Sequence, residues 1–373
     1  MAQVTNLKEE DGTLTFNVTG LNVSYINAIR RIILSDIPII VFKTTPYSEN
    51  KCNIQINTSR LNNEIVKQRL SCIPICINDI EFNYKNYILE LDVENKTDTI
   101  MYVTTKDFKI KNITNNTYLD ENELKKIFPP FIPPNGKGEY YIDFLRLRPK
   151  LSEELLGERI KLTCELSIGT AREDSMFNLA GTCSYGFTVD EEKMNEQLEI
   201  RKQKWKDEGK TEKDITFEAA NWKLLEGKRY VKTNSFDFIL NSVGIYENNE
   251  IIVKACTILT KKLIDLDKLL KNDEVEIKPS DTTLENSYDI ILENEDYTVG
   301  NILKTEIYNS LYRDMTILNY IGFKKFHPHD SHSILRLSFV EPNKDVSSVK
   351  QILTVIINEA VTKIVKLMEL FKK

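Results

Sequence analysis

Between Leu21 and Pro38 the chain reads LNVSYINAIRRIILSDIP, and its apolar residues fall at helical spacing. Ile26, Ile29, Ile33 and Ile37 follow steps of three and four, which puts them on one face of a helix. Asn22 and Ser24 are candidate N-caps, because a short polar side chain satisfies the free amides of a first turn. Pro38 lacks the amide proton a helix needs and ends it. Arg30 and Arg31 lie beside the apolar seam. The same pattern returns at Tyr297–Ile307, YTVGNILKTEI. With Asn27 set against Asn301, Ser24 aligns with Thr298, Ala28 with Ile302, Ile29 with Leu303, Arg30 with Lys304 and Ile33 with Ile307, without a gap.

Alternating residues precede each copy: Leu14, Phe16 and Val18 before the first, Tyr288, Ile290 and Leu292 before the second. Period two predicts a half-buried strand. A long amphipathic helix follows each copy. Ile252, Ala255, Leu259, Leu263, Leu266 and Leu270 make one seam; Val349, Leu353, Ile356, Ala360, Ile364, Leu367 and Phe371 make the other. The pattern predicts an α+β chain holding two versions of one unit: strand, short helix, further strands, long helix. Each would bury its apolar helix face against the other.

The remaining segments set the boundaries. Residues 1–45 with 181–272 are expected to form the first unit, 46–180 a mainly β insertion, 273–286 a linker and 287–373 the second unit. Within the insertion, Glu64–Leu70 predicts a short helix, and Cys72 and Cys76 are placed on an apolar strand as core thiols. FPPFIPPNGKG, residues 128–138, predicts a rigid loop. Ser167–Phe177 predicts a surface loop hinged at Gly169. Residues 190–228 are strongly charged and predict a solvated helical excursion anchored by Trp205 and Trp222.

Length and charge narrow the function. At 373 residues two or three domains are expected. A net charge of −6 argues against a dedicated nucleic-acid binder. Six scattered cysteines suit a reducing compartment, and no signal core or membrane-length apolar run is present, so a soluble intracellular protein is expected. Catalytic patterns are missing. Gly136-Lys137-Gly138 lacks the upstream glycine and following Ser/Thr of a phosphate loop. His327, His329 and His332 are split by Pro328 and lack neighbouring cysteines, so they predict a polar loop and no metal. Asp265 and Asp267, two apart on a helix, diverge. No cofactor and no catalytic residue is expected.

NVSYINAIRRIILSDIP closely resembles the helix motif of the alpha-like subunits of multisubunit RNA polymerases. NEIVKQRLSCIPICI (63–77), the span 145–177 and FDFILNSVG (236–244) resemble successive segments of the third-largest subunit of the nuclear enzyme. EDYTVGNILKTEI, then Gly322-Phe323-Lys324 and His327-Pro328, resemble its smaller partner, the eleventh subunit. The resemblance implies a natural fusion of the two, an arrangement seen in some large DNA viruses; for a viral chain it implies the host cytoplasm and the virion.

It further implies a non-catalytic platform for transcription, an intramolecular dimer with pseudo-twofold symmetry that docks the largest and second-largest polymerase subunits alongside other small ones, meeting DNA only through the complex. The dimer core would comprise Ile26, Ile29, Ile33, Ile302, Leu303, Ile307, Leu259, Leu263, Ile356 and Ala360. Docking would fall to Arg30, Arg31 and Lys304, with Gly169 and Arg172 as a second locus, and Arg31→Ala is expected to fold yet recover less of the second-largest subunit. Many family members carry a zinc-binding cysteine cluster in the insertion; this chain has no cysteine between Ile77 and Lys106, so no zinc is expected there. The alternative reading is a free-standing pseudo-dimeric adaptor outside transcription.

Overall fold

In chain order the elements are β1 (Gln3–Glu10), β2 (Thr13–Thr19), α1 (Val23–Ser35), β3 (Ile39–Phe42), β4 (Cys52–Asn57), α2 (Asn63–Ser71), β5 (Tyr87–Glu94), β6 (Met101–Thr104), β7 (Lys109–Asn112), β8 (Thr117–Tyr118), α3 (Glu121–Ile127), β9 (Asp143–Leu147), β10 (Arg159–Gly169), β11 (Ala180–Val189), α4 (Glu191–Asp207), α5 (Glu212–Leu224), β12 (Val231–Ser242), α6 (Asn248–Lys271), β13 (Ile277–Pro279), β14 (Ser287–Glu293), α7 (Tyr297–Ile307), β15 (Leu318–Lys324), β16 (His332–Phe339) and α8 (Val346–Glu369). This computed structural model describes residues 2–372 except Leu151, Glu153, Leu155 and Asn343; Met1 and Lys373, the outer ends of the expected domains, lie outside the described residues.

Two compact units are present, the larger made of Met1–Ile32, Thr182–Asn241 and Asn248–Lys373, the smaller of Ile33–Gly181 and Ser242–Glu247. The larger contains two four-stranded sheets of matching order, β1-β2-β12-β11 and β13-β14-β16-β15. In each, the strand before the short helix and the strand before the long helix are the central pair, and they run antiparallel. Alternation explains which face each sheet buries. Leu14, Phe16 and Val18 point into the core, and Phe16 stacks on its register partner Phe238 at 5.1 Å. Ile290 and Leu292 do the same opposite Leu335 and Ser333. The seams read from the sequence are the buried faces of α6 and α8: every one of their thirteen named positions is buried. Each long helix is 24 residues.

Several expectations change here. The stretch 273–286 is more than a linker, because β13 within it pairs with β14 as an edge strand. The excursion 190–228 is a helical hairpin, α4 and α5, closed on a small core of Leu198, Ala219 and Trp222; Trp205 packs against that core only partly buried.

The smaller unit is built around β10, which pairs with β3, β4 and β5. Its core includes Phe42, Phe108, Phe128 and Phe144, whose rings meet at 5.5–6.5 Å. The short helix expected at Glu64–Leu70 is α2, capped by Asn62, whose side chain accepts from the Ile65 amide. Cys72 and Cys76 do not share a strand: residues 72–77 are irregular, Cys72 is exposed and Cys76 half-buried. Pro74 denies this run a ladder amide, which is why its apolar residues pack without pairing. Gly169 is not a hinge. It ends β10 opposite Ile39, and a Cβ there would come within 2.9 Å of the Phe177 ring and 3.0 Å of Val41. Glycine is used at this position for close approach.

Candidate assembly interface

Helices α1 and α7 meet inside the larger unit. Asn22 precedes α1, and its Oδ1 accepts from the Ser24 amide at 2.9 Å. Asp296 caps α7 in the same way, accepting from the Thr298 amide at 2.7 Å. The two helices are tied at opposite ends. Tyr25, in the first turn of α1, donates its hydroxyl to Glu306 Oε1 near the end of α7 at 2.7 Å. Arg31, in the second half of α1, donates from Nε to Thr298 Oγ1 at 2.8 Å and from Nη2 to Asp296 Oδ2 at 2.7 Å. Start-to-end and end-to-start ties make the pair antiparallel.

A third helix completes the first tie. Lys363 of α8 donates to Glu306 Oε2 at 2.6 Å, and its ammonium lies 6.0 Å from the centre of the Tyr25 ring. Glu306 is buried, so its carboxylate needs compensation, and it has two partners. Burial first, and then the neighbouring Glu306 carboxylate, push the Tyr25 phenol far above its ordinary range, so it stays a neutral donor. Burial works against ionisation of Asp296, yet its bonds from Thr298 and the Arg31 charge hold its carboxyl below the usual value. The N-terminus of α7 also favours a negative charge at that position.

The apolar residues expected in the core are all buried. Ile26 and Ile29 of α1, Ile302, Leu303 and Ile307 of α7, Leu259 and Leu263 of α6, and Ile356 and Ala360 of α8 belong to the larger unit. Ile33 is equally buried but belongs to the smaller one. At the far end of the long helices, Phe371 packs edge-on to Phe16 at 4.9 Å, and Thr257 Oγ1 approaches Met368 Sδ at 3.5 Å.

The charged candidates are placed differently. Arg31 is committed to Asp296 and Thr298. Arg30 folds back onto Asn27, donating from Nε and Nη2 to Oδ1 at 3.1 and 3.0 Å. Lys304 is half-buried and has no ion-pair partner among the described residues. In the smaller unit, Arg172 grips Asp36 at 2.7 Å and its amide donates to Ser35, beside the buried Gly169. His327 and His329 lie in an exposed turn in which the His329 amide donates to His327 Nδ1 at 3.1 Å, whereas His332 is half-buried and opens β16 opposite Glu293.

Tyr25, Asp296, Glu306 and Lys363 were not singled out from the sequence. Glu306 carried a usable signal. It stands four residues after Ile302 and three after Leu303, within an apolar stripe where an acid needs a partner.

Compared with known families, the chain matches the RNA polymerase Rpb3/Rpb11 dimerisation domain over residues 15–263. The chain belongs to that family. The matched span runs from β2 into α6. Among Rpb3/Rpb11-type relatives, the chain is similar to DNA-directed RNA polymerases I and III subunit rpac1 of Dictyostelium discoideum, 28% identical over 190 residues, covering 48% of this chain and 50% of the relative. It is also similar to the RPAC1 subunit of Mus musculus, 25% identical over 188 residues with 47% and 51% covered. An archaeal relative is DNA-directed RNA polymerase subunit Rpo3 of Methanosphaera stadtmanae, 25% identical over 195 residues with 51% and 64% covered. The chain spans about half the length of the first two of these relatives. No helix of the described residues is long and apolar enough to cross a membrane.

Proposed function

We propose that this chain is a non-catalytic assembly subunit of a multisubunit DNA-directed RNA polymerase, carrying both partners of an alpha-like dimer in one polypeptide. In this reading residues 1–45 with 181–272 are the third-subunit-like partner, 46–180 its insertion, and 287–373 the eleventh-subunit-like partner. The observation that carries it is the pair of ties between α1 and α7, together with two sheets of identical strand order. A twofold relation between two similar helices makes them cross antiparallel and bury like faces. The symmetry is approximate. Ser24, aligned with Thr298, has a buried hydroxyl with no partner among the described residues. The residue aligned with Arg31 is Thr305, too short to grip it.

Linking the partners replaces a concentration-dependent encounter with an intramolecular one. The platform then offers its outer surface to the largest and second-largest subunits, for transcription by a fused, viral-type enzyme. Arg30 and Lys304 are the better docking candidates, since Arg31 is used inside the chain and Arg172 is held by Asp36. Mass spectrometry of the complex purified on a tagged copy from its native source tests the reading. Recovery of the two large polymerase subunits in equal amounts is expected. Recovery without them supports a free-standing adaptor and refutes it.

A further inference from the structure

We infer that Cys52 and Cys164, in the smaller unit, are a reversible disulfide site. The two residues are register partners on the antiparallel strands β4 and β10. Their pairing type follows from the backbone. The Glu165 amide donates to Lys51 O at 3.2 Å, one residue to either side of the pair. The Cys52 amide and carbonyl are both taken by the Asn50 side chain, at 3.1 and 3.0 Å. Cys52 and Cys164 therefore occupy a non-hydrogen-bonded position, where opposite Cα atoms approach to about 4.5 Å and side chains lie closest. That separation is inside the roughly 4.4–6.8 Å span of disulfides. Both thiols are buried at this position, and Cys164 Sγ donates to the Glu165 carbonyl at 3.5 Å.

The chemistry is polarised. The neighbouring Cys164 holds the Cys52 thiol below its ordinary range despite burial, while Cys164 is pushed up. Cys52 lies on β4, the strand whose opening gives access, and is the attacking sulfur. With a low-molecular-weight disulfide such as oxidised glutathione, the Cys52 thiolate forms a mixed disulfide and releases one glutathione thiolate. Cys164, losing its proton, then displaces the second. The protein gives up two protons and two electrons, and the oxidant becomes two thiols. Both cysteines are buried, so access comes through local opening of β4, a six-residue strand whose only ladder partner among the described residues is β10. Closure ties this strand to the centre of its sheet.

The test uses the full chain, reduced and then exposed to increasing oxidised glutathione. Free thiols are blocked with N-ethylmaleimide and the protein is digested without reduction. A linked Cys52–Cys164 peptide, two hydrogens lighter than its parts and reversed by dithiothreitol, is expected, together with a raised melting temperature. Cys72→Ser should leave the link intact, and Cys52→Ser should abolish it. Stable glutathione adducts on either residue, or both remaining alkylated while exposed Cys72 is fully modified, would overturn the assignment.

Discussion

Replacing Tyr25 with Phe removes one oxygen and leaves the packing of a residue that is 1% exposed. The lost bond runs to a carboxylate at 2.7 Å. Bonds to charged groups contribute about 1.5–3 kcal/mol. Glu306 keeps Lys363, so it is not left unpaired, and the lower end of that range applies. A loss of about 1.5 kcal/mol is close to a tenfold change in an opening equilibrium. The fitting assay is native-state amide hydrogen exchange along α1 and α7, because local protection does not require the two units to unfold together. Protection in both helices should fall by roughly tenfold. In a Glu306→Gln background the same substitution removes a bond to a neutral group, and the loss should shrink to about 0.5–1 kcal/mol. Equal losses in the two backgrounds, or a change under about twofold in the first, would refute the role given to this bond.

Gly300→Ala should destabilise the larger unit by about 1–3 kcal/mol, since its Cβ would lie 2.1 Å from the Phe323 ring. A melting temperature equal to that of the unsubstituted protein would show that the ring moves freely. Asp296, with its folded-state pKa below the usual 3.8, contributes stability that is complete above that value and is lost as pH falls through the folded one. Urea midpoints should therefore drop more steeply below about pH 4 for the unsubstituted chain than for Asp296→Asn. Lys304→Glu should fold normally and lower recovery of the large polymerase subunits in pull-downs; undiminished recovery would remove Lys304 from the docking surface.

The long seams on α6 and α8 were legible because periodicity reports burial directly, and burial is what those helices are built for. The strands flanked by Leu14–Val18 and Tyr288–Leu292 were legible for the same reason. Partners within the chain were not legible. Arg31 sits beside an apolar seam whether it faces solvent or a carboxylate 265 positions away, and spacing along one helix cannot distinguish the two. Gly169 suggested freedom, while the packing of Phe177 and Val41 makes it a tight contact. Cys72–Ile77 had a strand's composition, but Pro74 and the end of α2 prevent pairing. The register that opposes Cys52 to Cys164 joins residues more than a hundred positions apart, and only the folded sheet supplies it.

The matching sheets differ in their connections, most of all in the one that leaves the short helix. From α1 to β11 the chain spends residues 36–179, enough for nearly all of the smaller unit. From α7 to β15 it spends only 308–317, a wide π-type helical turn ending in exposed Met315 and Thr316. A junction that accommodates a whole domain in one half marks its short counterpart as a graft point. A fluorescent protein spliced at Thr316 would ride on the assembly as a built-in reporter while leaving both chain termini unmodified.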